Sequence, residues 1–282
     1  MNRWLRLARI PNVAVSVVGT VVGGWAARGV GFQLTGPEYL YLLLAAASTG
    51  LVTAGGNALN DLLDREGDRA NHPDRPLVTG EIGAASARGF VIATLVVGIA
   101  VVIPVIRAAP GVGVLLALAL AAVLSYEFWF KAVGFLGNLE VAFLTGLVFL
   151  YGAASVGPVG PVAALAGMAF LATLSREVIK DMEDMEGDVG RSTLPRRYGL
   201  GVSSWVARGA IAGAIALSAV PFWGLVRWGS PAGIMYLALV LAADAVFVVS
   251  VAGLPRRLHG CQTVSKLAMA IALLAFLALA FR

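Results

Sequence analysis

The sequence predicts an all-α, polytopic membrane protein. Of 282 residues, 59% are hydrophobic and only 13% are charged, against about 45–50% and 25% in soluble domains. Apolar runs of about 20 residues, the length of a membrane-spanning helix, recur along the whole chain. The short alternating segments of a transmembrane barrel are absent.

Nine spans follow in order: 12–32, 38–60, 87–107, 111–130, 137–156, 160–181, 203–225, 232–253 and 262–281. The first starts about ten residues in and has no small-residue cleavage site, so it reads as a retained helix rather than a signal peptide. With the amino terminus placed inside, only Arg28, Arg107, Arg227 and Arg282 of the 21 basic residues fall outside. That agrees with the positive-inside rule and sets the expected topology. An odd number of spans then puts the carboxyl terminus outside. The expectation is one domain over 1–282, multi-pass in the plasma membrane. The net charge of +5 reflects this bias and points to anionic lipid headgroups, not nucleic acid. A single cysteine, Cys261, and two histidines, His72 and His259, exclude an internal disulfide and a cysteine or histidine metal cluster.

An acidic cluster occurs twice, each time at the end of an apolar run. Asn60-Asp61-Leu62-Leu63-Asp64-Arg65-Glu66-Gly67-Asp68 is matched by Lys180-Asp181-Met182-Glu183-Asp184-Met185-Glu186-Gly187-Asp188. On a continuous helix Asn57, Asn60, Asp61, Asp64 and Asp68 share an arc about 100° wide, and Glu177, Lys180, Asp181, Asp184 and Asp188 share the equivalent one. Like charges one turn apart destabilise a helix, and charges at membrane depth cost more. Two matched clusters therefore call for a counter-charge. Hard oxygen ligands facing a polyanion suit Mg²⁺ and a diphosphate. The expected metal set is Asn60, Asp64, Asp68, Asp181, Asp184 and Asp188.

Arginine-rich, Gly/Pro-punctuated segments follow both clusters and carry Arg75 and Arg191, suited to closing over a phosphate. A third inner segment holds Tyr126, Glu127, Lys131 and Asn138. Lys131 either snorkels to the interface or reaches the diphosphate; Asn138 either caps its helix or binds phosphate. The aromatics Phe128, Trp129, Phe143, Phe149 and Tyr151 are either walls for a water-poor cavity or ordinary lipid-facing and packing rings. Asp244, alone inside the eighth run, has no partner visible in the sequence.

These residues resemble the UbiA-type intramembrane prenyltransferases. Asn60, Asp61, Asp64 and Asp68 match the first motif of that superfamily, and Asp181, Asp184 and Asp188 the second. Arg9 with Asn12, the stretch Asn71 to Leu77, and Tyr126, Lys131, Gly137 and Asn138 match smaller signatures. The resemblance covers all nine spans. It implies a ring-like bundle around a central cavity, in which Mg²⁺ on the two motifs binds a polyprenyl diphosphate on the cytoplasmic side. Asp64, Asp68, Asp184, Asp188 and Lys131 would be catalytic. Asn12, Asn57, Asn60, Arg75, Tyr126, Lys131, Asn138, Lys180 and Arg191 would bind substrate.

The stretch Arg176 to Asp188 looks most like archaeal enzymes that transfer a geranylgeranyl group to geranylgeranylglyceryl phosphate. Aromatic-acceptor polyprenyltransferases of the 4-hydroxybenzoate or quinone-precursor type share both motifs. A cation transporter would set its carboxylates nearer the midplane. A CDP-alcohol phosphatidyltransferase needs an Asp-Gly-x-x-Ala-Arg stretch that this chain lacks.

Overall fold

The computed structural model describes residues 2–28, 33–130, 133–185 and 192–278. Among them are nine helices long and apolar enough to cross a membrane. A short α1 (Arg3–Leu7) precedes α2 (Ile10–Ala27) and α3 (Gly36–Leu63). A second short helix, α4 (Arg65–Asn71), leads to α5 (Ala84–Ala108), α6 (Pro110–Phe128) and α7 (Phe135–Val156). The chain ends in α8 (Ala163–Glu183), α9 (Leu194–Ser218), α10 (Pro231–Ala252) and α11 (Leu258–Ala278).

Prolines sit in the first turns of α2, α3, α6, α9 and α10, where a missing N–H breaks no helical bond. At α3, Thr35 and Glu38 form a reciprocal capping box, the Thr35 amide donating to Glu38 Oε2 at 2.7 Å. Ser230 Oγ accepts from the Gly233 amide at 3.0 Å and starts α10.

In a membrane, helix association rests on close packing of small residues. The crossing of α2 and α7 shows this. A Cβ at Gly152 would lie 1.8 Å from the Thr20 carbonyl oxygen, and one at Gly23 would lie 2.0 Å from that of Phe149. Only glycine lets the two backbones touch. Further tight pairs are α3 with α5, α8 with α9, and α10 with α11. At the end of the molecule bearing the acidic clusters, α1 acts as a plug. Leu7 is fully buried with Ala58, Leu77 and Ile82, and Trp4 stacks on Phe90 at 5.5 Å.

Three details depart from the sequence reading. The first acidic cluster is not one continuous helix: α3 stops at Leu63 and α4 begins at Arg65, although Arg75 still reaches both Asp61 and Asp68. Helix α9 begins at Leu194, in a segment expected to be loop before 203, and is kinked at Gly199, whose φ of 81° only glycine adopts readily. Phe128, Trp129 and Phe143 are exposed on the outer surface rather than walls of a cavity. Exposed Trp129 and Trp205, and Trp223 with Trp228, suit the aromatic belts at the two membrane interfaces.

Candidate active site

A cavity of about 940 Å³ runs through the bundle. Every long helix except α5 lines it; α5 packs outside, against α3. Phe149, Tyr151, Phe247, Phe276, Leu116 and Met168 make its walls largely apolar. Polar side chains from the helix ends gather where the acidic clusters lie. Among them, Asn12, Asn57, Asn60, Tyr126 and Lys180 are residues expected from the sequence; Arg9, Glu127, Arg176 and Glu177 join them.

Asp61 is only 2% exposed. Such a charge survives only with partners, and it has two. Arg9 Nη2 pairs with Asp61 Oδ1, and Arg75 Nη1 lies 3.2 Å from the same oxygen. Arg9 is the residue before α2 and has φ 52°, ψ 63°. A left-handed arginine costs about 1–3 kcal/mol and is found where surrounding contacts enforce it. Its guanidinium also donates to Asn60 Oδ1 at 3.0 Å, while Asn60 Nδ2 donates to Glu127 Oε1 at 2.8 Å. Asn57 Nδ2 donates to the Ala8 carbonyl at 2.9 Å. The end of α3 is thus fixed to both α2 and α6.

Arg75 also pairs with the buried Asp68, joining the segment after α4 to the cluster. That segment is strapped from the amino terminus. Arg3 Nη1 donates to the Glu81 carbonyl at 2.9 Å, and Arg6 pairs with the Glu81 carboxylate. The Arg6 hydrogen bond holds the Glu81 carboxyl below its ordinary range. Arg65 Nε donates to the Leu77 carbonyl at 3.1 Å.

In the second cluster, Asn138 Nδ2 donates to Asp181 Oδ2 at 2.8 Å, tying α7 to α8. Asp184 is exposed and Asp64 half-buried. Each follows the last residue of its helix, with φ, ψ of −84°, 1° and −85°, 0°. Lys131, Asp188 and Arg191 lie outside the described residues.

Among the described residues no three carboxylate, histidine or cysteine side chains form a ready-made metal cage. The donors are nonetheless all oxygen, and a cation that takes one or two carboxylates and completes its shell with substrate oxygens and water needs no cage. That donor set fits Mg²⁺.

The UbiA prenyltransferase family model matches residues 16–263. The chain belongs to the UbiA prenyltransferase family. Over 290 aligned residues it is 37% identical to a digeranylgeranylglyceryl phosphate synthase of Methanopyrus kandleri, covering 99% of each protein. A solved structure described as a digeranylgeranylglyceryl phosphate synthase superposes with TM-score 0.78 at 30% identity, covering 99% of this chain and 97% of that one. A UbiA homologue from Archaeoglobus fulgidus, solved with GPP and Mg²⁺, has the same fold at TM-score 0.62 and 20% identity, covering 98% of this chain and 99% of that one.

Within this UbiA bundle, two cavity residues are given no role by the sequence. Glu127 is named there only as a neighbour of Tyr126 in the third inner segment. Asp244 lines the cavity and accepts from Ser218 Oγ at 2.8 Å; its partner lies on another helix and leaves no local pattern.

Proposed function

We propose that this prenyltransferase moves a geranylgeranyl group from its diphosphate to geranylgeranylglyceryl phosphate, a step of archaeal ether-lipid synthesis. One observation carries the acceptor assignment: 37% identity along essentially the full length of a synthase of that name. The long apolar cavity with one polar end is consistent with a lipid acceptor as well as a lipid donor. The charge asymmetry of the ends supports a plasma-membrane protein with its active site on the cytoplasmic side.

In this reading Asp64, Asp68, Asp184 and Asp188, with Asn60 and Asp181 beside them, hold Mg²⁺. When bound, the metal supplies Lewis-acid neutralisation of the departing diphosphate. The protein's own groups do the remainder. Arg75, Lys131, Lys180 and Arg191 add positive charge at the polar end, where negative charge develops on the leaving group. Asn12, Asn57, Tyr126 and Asn138 orient the headgroup. The apolar walls keep water from the allylic carbocation until the acceptor hydroxyl attacks, its oxygen forming the ether bond as its proton is lost to the departed diphosphate.

The test offers the purified protein labelled geranylgeranyl diphosphate with either geranylgeranylglyceryl phosphate or 4-hydroxybenzoate. Label in the ether lipid alone is the expected result. Label in the aromatic product alone would overturn the acceptor assignment and leave family membership intact.

A further inference from the structure

We infer that Lys266 is an anchor for the phosphate of the acceptor lipid, apart from the site that binds the diphosphate; this rests on the acceptor reading above. Lys266 lines the cavity, yet α11 carries neither acidic cluster. It lies eight residues into α11, about 12 Å along the axis at 1.5 Å per residue. Its side chain is exposed and it lines the cavity, so its charge is open to a ligand there.

Its surroundings lack the carboxylate that a purely structural lysine would have. Among the described residues Lys266 makes no hydrogen bond and no ion pair within 4 Å. Asp244 is the natural candidate. The hairpin of α10 and α11 packs closely, and Asp244 and Lys266 stand equally many residues from Pro255, so they share a level. The Asp244 carboxylate is instead turned toward α9, accepting from Ser218. Tyr236 donates to the Ser218 carbonyl at 3.3 Å and steadies that end of α9.

The position also suits a second lipid. Lys266, Met269, Ala270 and Leu273 form one stripe of α11 on the cavity, and Asn12, Val15 and Ser16 do so on α2. Helices α2 and α11 touch only sparsely. A lipid with its chain along this stripe would bring its phosphate to Lys266 while the diphosphate sits at the ends of α3 and α8. An ammonium recognises a phosphate as a point charge, and an aromatic acceptor without phosphate gains nothing from it.

The experiment measures initial rates against each substrate for the full chain and for Lys266→Gln and Lys266→Arg, with geranylgeranylglyceryl phosphate and its dephosphorylated counterpart as acceptors. For Lys266→Gln, KM for the phosphorylated acceptor should rise roughly 10- to 100-fold, the range of one charge-assisted hydrogen bond. KM for the diphosphate donor should not move, and Lys266→Arg should recover most of the loss. The unaltered protein should favour the phosphorylated acceptor, and Lys266→Gln should lose that preference. An unchanged acceptor KM, or an equal rise for both acceptors, overturns the anchor. So does recovery in Lys266→Gln/Asp244→Asn, which would make Lys266 a counter-charge for Asp244. Should Lys266→Gln not fold, the unaltered protein decides: equal KM for the two acceptors overturns the inference. If the unaltered protein uses neither acceptor, the proposed function falls and the anchor with it.

Discussion

Asp64 and Asp184 occupy the same backbone position in the two halves of the chain. Each immediately follows a long helix, and their φ, ψ pairs agree within a degree or so: −85°, 0° and −84°, 1°. The amide of each donates to the carbonyl four residues back, from Asn60 and Lys180, at 2.9 Å. Both carboxylates therefore stand at a helix end rather than inside a packed face. This correspondence fits an internal duplication.

Asp64→Asn and Asp184→Asn should each lower turnover about 100-fold or more, the scale of losing one electrostatic stabiliser of a transition state. Neither removes a core side chain, so the melting temperature in detergent should hold within a few degrees. Near-normal turnover at saturating Mg²⁺ would remove these residues from the metal set.

Asp61→Ala should behave differently. It removes a shared partner from Arg9 and Arg75, which keep Asn60 and Asp68, so the loss is that of hydrogen bonds to a charged group, about 1.5–3 kcal/mol. Melting temperature and activity should fall together. A variant that melts normally would show that Arg9 and Arg75 do not depend on Asp61.

Chelation should stop transfer and Mg²⁺ should restore it, because the donors are oxygen only. Activity that survives exhaustive chelation would eliminate the metal from the mechanism.

Gly152→Ala should destabilise strongly, since its Cβ would meet the Thr20 carbonyl at 1.8 Å. Gly89→Ala in α5 is the control: nothing lies within 4 Å of its Cβ, and alanine should stabilise the helix by up to about 1 kcal/mol. Thermal unfolding of the two variants in detergent should show shifts of opposite sign.

The spans were legible because membrane helices announce themselves by length and apolarity, signals that tertiary packing does not rewrite. The acidic clusters were legible because charge is rare in this chain. The break at Asp64 was not, since no glycine or proline interrupts 61–65 and the helix ends without punctuation. Arg9 was visible as a motif residue, but its bond to Asp61 spans 52 positions and has no local trace. Nor could outward-facing Phe128 and Phe143 be told from wall aromatics such as Phe149. A ring in lipid and a ring in an apolar cavity meet the same chemical environment.

The plug formed by α1 ties the first few residues of the chain to the reaction centre. From Arg6 the connection runs through Glu81 to the segment that carries Arg75, and from there to Asp68 and Asp61. Leu7 seals the same region from below. Anything that tugs on the amino end, such as a bulky fusion partner or a deletion of residues 2–8, will be felt at the acidic clusters as well as in expression yield. Purification handles are better placed at the far end of the polypeptide.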